Sequence, residues 1–405
     1  ILEYLQRTAE EHGVLDRIRF DHEVADARWD ATAQRWRLDT AGGPLTADVV
    51  LLGNGPLAEP AIPDLPGLDS FAGTTFHSAT WRADHDLTGE RVAVIGTGAS
   101  AIQFVPEIQP RVGRLTLFQR TPPWVLPHRN RPIRDWERRV YRRAPAVQRL
   151  IRGVVYLSRE LFVTGLLRNA KSLEKMEGLA RRQLAKQVAD PELRALLTPD
   201  YRPGCKRLLL SDDWYPTLQR PNVEVVTEKI VQVTPTSVVT ADGTEHEVDT
   251  IIFGTGFHVT DNPVADRVRG ADGRTLAEHW LETGAQAYLG STVPAFPNLF
   301  LLAGPNTGIG HTSLVVMIEA QLRYILGALR HLERSPARSL DLRRGVFRAW
   351  STEIQAKAAR TVWNSGGCSS WYLDREGRNT ALWPDHTFVF LRRTRRFDPA
   401  SYEGA

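Results

Sequence analysis

The sequence predicts an α/β chain of doubly wound parallel sheets carrying a helical insertion, and three observations lead there. A short apolar run, Val92 to Ile95, leads into Gly96-x-Gly98-x-x-Ala101 and then into a helical pattern at Ile102, Val105 and Ile108. Two stretches, residues 17–55 and 223–256, follow one plan and close on DVVLLGNG and DTIIFGTG, which align without a gap. Between the halves of the second unit, about residues 134–200, apolar residues recur at helical rather than alternating spacing. Together these describe two Rossmann-like dinucleotide-binding domains, the first without its opening βαβ, and a helical insert.

The glycine turn carries the chemistry. Val92 to Ile95 reads as a strand buried on both faces. Strand, turn and helix in that order gather free N–H groups and the positive end of a helix dipole at one point, a site for a pyrophosphate. Gly96 permits the turn, Gly98 lets a phosphate approach the backbone, Ser100 opens the helix, and small Ala101 lets helix and strand pack closely. The next strand, Leu115 to Phe118, ends in Gln119-Arg120-Thr121. An NAD-binding unit carries an acid about 20 residues past its turn, and here Arg120 stands in that place. A guanidinium beside a hydroxyl suits a 2′-phosphate, so the expected dinucleotide is NADPH.

Composition bounds the rest. With 405 residues, 42% of them hydrophobic, the chain can fill two or three packed domains. Lys and Arg (51) nearly match Asp and Glu (47), which gives a mixed surface and no case for nucleic-acid binding. The two cysteines, Cys205 and Cys368, stand far apart and in no CxxC. They argue against a disulfide framework, a zinc site or a dithiol reductase, and fit a reducing cytoplasm. No metal is expected. The most apolar helical stretch, Ile151 to Leu167, is broken by Arg152, Arg159 and Glu160 and cannot span a bilayer.

In chain order, Ile1, Leu5 and Ala9 pattern an amphipathic helix, and the chain is expected to begin upstream of Ile1. A β-meander follows through Arg19-Phe20, Val24 to Trp29 and Trp36 to Leu38, closing on the strand that ends in Gly53 and Gly55. The phosphate turn that should open this first unit would precede Ile1. The insert is rich in Arg and Leu; a cap over a cleft is the favoured reading of it, and contact with a membrane surface the less favoured. Pro297 to Gly304 reads as another apolar strand, followed by a loop to His311. A helix then places Val315, Ile318, Leu322, Ile325 and Leu329 on one face. Val346 to Ala358 reads as one more helix, and the tail from Trp363 to Tyr402 has no strong period.

A longer motif, Phe71-x-Gly73-x-x-x-His77-x-x-x-Trp81, lies just upstream of the NADPH turn. It resembles the fingerprint of Baeyer–Villiger monooxygenases, whose N- and S-hydroxylating relatives usually end the motif on another aromatic. The resemblance runs through RVAVIGTGASAIQ, LTLFQRTPPWVLP, CKRLLLSDDWYPTL, DTIIFGTGF and SSWYLDREGRN, and looks closest to the 4-hydroxyacetophenone and steroid monooxygenase branch. Arg82 stands where the fingerprint usually has Pro or Asp.

The resemblance implies an enzyme that binds FAD and NADPH, activates O₂ as a peroxyflavin, and inserts oxygen beside a ketone carbonyl to give an ester or lactone. It implies domains at residues 1–81 (flavin, with the linker), 82–256 (NADPH) and 257–405 (the rest of the flavin domain and tail). Arg207 matches the catalytic cation, and Lys206 joins Arg120 and Thr121 on the 2′-phosphate. His77 positions the linker with Trp81, and Trp371 contacts the cofactor, a core role being the alternative. Gly53, Gly55, Gly304 and Leu314 lie on the flavin side. The alternatives are N- or S-hydroxylation, or an NADPH-binding module without oxygenase activity.

Overall fold

β-Branched and apolar runs form two sets of strands in the computed structural model, which describes residues 2–128, 131–168 and 170–404. The chain opens with α1 (Leu2–Glu11), which buries none of its residues, then β1 (Val24–Asp30), β2 (Arg35–Thr40), β3 (Gly43–Ala47) and β4 (Val50–Leu52). β5 (Thr74–His77), β6 (Arg91–Ile95), α2 (Ala101–Ile108) and β7 (Arg114–Phe118) come next. After β8 (Val125–Leu126) comes the insertion: α3 (Asp135–Arg143), α4 (Pro145–Arg168), α5 (Ala170–Gln187) and α6 (Pro191–Leu196). β9 (Leu209–Leu210) and α7 (Trp214–Leu218) lead into β10 (Val223–Val226), β11 (Ile230–Val233), β12 (Ser237–Thr240), β13 (Glu245–Glu247) and β14 (Thr250–Phe253). Beyond lie β15 (Val268–Arg269), α8 (Leu276–Thr283), β16 (Leu299–Leu301), α9 (Leu314–Arg334), α10 (Arg344–Ala358), α11 (Val362–Ser365) and α12 (Thr387–Arg393).

The central sheet runs β10-β7-β6-β14-β5, every neighbouring pair parallel. Alternate residues face opposite layers. Val92, Val94, Leu115 and Leu117 pack against Ile102, Val105 and Ile108 of α2 and Trp214 of α7. Ala93, Phe118, Ile251 and Phe253 face the β11–β13 meander through Val233 and Val238. Each large side chain so buried contributes roughly 1.5–3 kcal/mol, which fixes the strand ends in place. This is the α/β architecture the glycine turn called for.

The second layer system joins β1–β3 to β15 and pairs β4 with β16 in parallel. Trp36, fully buried, donates its indole N–H to the Pro297 carbonyl at 2.9 Å, tying the two segments. Two details differ from expectation. Arg19-Phe20 is not strand; the chain turns there, with Asp21 at a left-handed φ of 55°, and β1 starts only at Val24. The tail, aperiodic in sequence, holds α12, whose Phe390 is buried against Trp383. The reason is length: seven residues show less than two turns of period.

Candidate active site

Because the central strands are parallel and in register, they end along one edge: His77, Phe253, Ile95 and Phe118 form a single row. Ligands in open parallel sheets bind beyond that carboxyl edge. Gly96, Arg120 and Trp81 come soon after these strand ends.

The Gly96 turn is shaped by its neighbour. Gly96 sits at φ 108°, and a Cβ on it would lie 2.5 Å from the Gly254 carbonyl oxygen, so only glycine fits. Gly98 differs: it is exposed, and the nearest atom to a Cβ there would be 4.0 Å away. The space over Gly98 is open to a ligand. Ser100 begins α2 without a side-chain capping bond, and Ala101 is fully buried beneath it, with Gly254 packed close. The Thr97 hydroxyl donates to the Thr121 carbonyl at 3.0 Å, holding the turn beside the Arg120 loop.

β8 pairs in parallel with β9, Val125 opposite Leu209, so Lys206 and Arg207, just ahead of β9, return over the Arg120 loop. Burial, then the Arg120 charge, hold the half-buried Lys206 ammonium below the ordinary lysine value. Its Nζ lies 5.1 Å from the centre of the Tyr201 ring. Among the described residues no carboxylate forms an ion pair with Arg120, Lys206 or Arg207. Neighbouring cations left without a paired carboxylate are what an anion site requires.

The tail reaches the same place. Cys205 and Cys368 form a disulfide, with Cα atoms 6.1 Å apart across 163 residues of sequence. This corrects the expectation that these cysteines make no bridge: distance along the chain says nothing about distance in the fold. Arg202 N–H donates to the Gly366 carbonyl at 3.3 Å, and Gly366 lies so near Cys205 that a Cβ would stand 2.5 Å from the cysteine Cβ. Tyr372 is buried and its phenol raised by that burial, the nearby Arg207 charge opposing the shift. Trp371 stands 45% exposed, edge-on to Tyr372 at 4.4 Å, and so is no core residue.

The linker motif splits in two. Phe71 and Gly73 seat it: a Cβ on Gly73 would fall 2.1 Å from the Asp249 carbonyl, and Phe71 packs against the meander core. Trp81 rests on Phe76 and on Phe104 of α2, at 5.2 and 5.3 Å. His77 is buried, its Nδ1 accepting the Ala79 N–H at 3.1 Å, while Nε2 has no partner among the described residues. Desolvation lowers its imidazole pKa, with the Gly256 backbone pulling the other way. Burial thus disfavours the charged form of His77.

On the other side, β4 and β16 end together, with Gly53, Gly55 and Gly304 just past them. Gly53 and Gly55 have open space where a Cβ would be, and Gly55 takes a left-handed φ of 66°. Leu314 opens α9, which Ser313 caps through the Val315 N–H. The two glycine edges are strapped together: Ala61 N–H donates to Gly256 O and His258 N–H to Glu59 O, both at 2.9 Å, and the Thr255 hydroxyl to Ala61 O at 2.6 Å. One further cluster has no local signal in the sequence. Glu160 of α4, buried, lies 3.5 Å from His311 Nε2 and 3.1 Å from His386 Nδ1, joining insert, loop and tail.

The model of the flavin-binding monooxygenase-like family matches residues 1–268. A Baeyer–Villiger monooxygenase of Streptomyces coelicolor is 52% identical over 401 residues, covering 99% of this chain and 77% of that protein. The chain belongs to the Baeyer–Villiger monooxygenases. A second member, from Pseudomonas aeruginosa, is 47% identical over 98% of this chain and 76% of its own length. The NADP⁺-bound cyclohexanone monooxygenase of Rhodococcus sp. Phi1 superposes with a TM-score of 0.87 at 28% identity, over 97% of this chain and 81% of that one. This Baeyer–Villiger monooxygenase thus has the two-dinucleotide-domain α/β fold. Its structure sets the Gly96 turn against the Arg120–Thr121 loop, Lys206 within reach of the Arg120 charge, and Arg207 and Trp371 beside Tyr372. It leaves Phe71, Gly73 and Trp81 in the linker's seat.

Proposed function

We propose that this chain binds NADPH across the Gly96–Ala101 turn and FAD beyond Gly53, Gly55, Gly304 and Leu314, and oxidises a ketone to an ester or lactone with O₂. We assign residues 1–81 to the flavin domain and linker, 82–256 to the NADPH domain with its insert, and 257–405 to the rest of the flavin domain and the tail. What supports the reading is the β8–β9 pairing, which returns the chain so that Lys206 feels the Arg120 charge, together with open space over Gly98 at the head of α2. Those residues fit the nucleotide: an uncovered glycine, a helix N-terminus and cations without carboxylate partners.

A bound flavin supplies the oxygen activation that the amino acids cannot. The protein's own residues hold, orient and screen. The turn N–H groups take the pyrophosphate. Arg120, Lys206 and Thr121 take the 2′-phosphate, a selection for NADPH over NADH. Arg207 is exposed, with Tyr372 beside it, and is the fixed cation for the oxyanion that develops on the substrate carbonyl. Trp371 screens that point from water. His77 and Trp81 set the linker between the two domains.

The test is product analysis with NADPH, ¹⁸O₂, FAD and a panel of ketones and sulfides. Expected is an ester carrying one labelled oxygen, lost in Arg207→Ala by a factor of 10² or more, on the order of an oxyanion donor's worth. NADPH binding by that variant, read by fluorescence titration, stays near wild type. Ester formation at the normal rate by Arg207→Ala removes its role, and sulfoxide as the sole product removes the ketone reading.

A further inference from the structure

The outer face of the insertion is apolar where it meets solvent. Along α4, Val147, Leu150, Val154, Leu157 and Leu161 recur at three- and four-residue steps, one stripe of a helix. Leu150 is 69% exposed, Val154 60%, Leu157 62% and Leu161 76%. Ile151 and Val155, also exposed, make the stripe broader than a two-row coiled-coil seam. The stripe is not α4's inward face. That face carries Val163 and Leu167, buried against Trp363 and Tyr372, and Glu160, engaged by His311 and His386. Trp136 of α3, 57% exposed, adds an amphipathic ring to the same subdomain.

Charge says what covers this face. Residues 131–160 hold nine arginines against three acids and no lysine. Two of the acids are occupied, Glu137 by Arg131 and Glu160 by the histidines, and the third, Asp135, sits 3.9 Å from Arg138. Among the described residues no carboxylate pairs with Arg139, Arg142, Arg143, Arg149, Arg152 or Arg159. Among the described residues no helix is long and apolar enough to cross a membrane. An apolar stripe with tryptophan and uncompensated arginines is instead the pattern of a helix that lies in the plane of a lipid interface. A second copy is the poorer occupant, because a self-complementary contact would set the same unpaired arginines against each other.

We propose that the α3–α4 face docks on an anionic lipid surface, which makes the enzyme a peripheral membrane protein. This stands apart from the reading of the active site and reverses the preference the sequence alone suggested. The full chain is sedimented with vesicles of phosphatidylglycerol and phosphatidylcholine, and with phosphatidylcholine alone. Expected is binding to the anionic vesicles, at least tenfold weaker to the neutral ones and weakened again by high salt. At about fivefold per arginine, Arg142→Gln with Arg149→Gln costs roughly 25-fold. Leu150→Gln with Leu157→Gln, both exposed, abolishes sedimentation, with circular dichroism and NADPH binding unchanged. No sedimentation by wild type, or equal sedimentation by both double variants, overturns the proposal. So does a dimer, seen by light scattering and dissolved by the leucine substitutions, in a protein that ignores vesicles.

Discussion

Lys206 is the residue whose surroundings say most about its ligand. Its ammonium is half-buried and faces Arg120, and both effects push its pKa below 10.5. The uncharged form is thus reached at a lower pH than in free lysine, and a neutral amine does not hold a phosphate dianion. Accordingly kcat/KM for NADPH is high at neutral pH and falls as pH rises through the lowered value, before the ordinary 10.5. Lys206→Gln lowers kcat/KM for NADPH by about tenfold, near the 1.5 kcal/mol of a charged hydrogen bond, and flattens the alkaline limb. The pH profile for NADH, which lacks the phosphate, is the same in variant and wild type. A profile that changes equally for both cofactors shows that Lys206 does not read the phosphate.

Among the elements, the crosslinked pair of loops at 202–207 and 366–372 is the least readable from sequence and the most consequential. The strand–turn–helix of β6 and α2 is legible because its signals are local: an apolar run, two glycines, a small residue, then a helical period. The companion meanders are legible because one repeats the other. Nothing local announces that Cys205 meets Cys368, although each stands within three residues of a site residue, Arg207 and Trp371. Gly73 and Gly366 are similar cases, since their need for glycine comes from carbonyls or side chains distant in sequence. The bridge fixes the tail against the cation loop, and closing a 163-residue loop contributes about 5 kcal/mol in the chain-entropy account. Cys368→Ser, or a dithiol reductant on the wild type, therefore lowers the melting temperature. It also lowers kcat more than it raises KM for NADPH, because Arg207 and Trp371 lose their fixed spacing while Arg120 stays put. Two titratable thiols before reduction, with no change in either reading after it, would show that the bridge fixes nothing.

At the scale of the whole molecule, function depends on two glycine edges that belong to different sheets being held at one separation. The sheet edges are rigid, each stabilised by its own core, so their relation rests on the few residues that cross between them. Besides the Cys205–Cys368 bridge and the Glu160 cluster, these include residues 59–61 against 255–258, joined by two backbone hydrogen bonds and by the Thr255 hydroxyl on Ala61, with Asn262 reaching Gly55 at 3.2 Å. Hydride transfer demands near contact between donor and acceptor rings, and a misplacement of about 1 Å can cost 10²-fold in rate. Nucleotide binding by the Gly96 turn, by contrast, needs only one of the two edges. Thr255→Val removes one bond of the strap without touching either glycine edge, so it separates the two demands. The expected result is an unchanged Kd for NADPH and a several-fold slower oxidation of NADPH with ketone and O₂ present. An equal loss of binding would mean that Thr255 supports the Gly96 turn itself. Both parameters at wild-type values would mean that the Thr255 hydroxyl does not fix the separation.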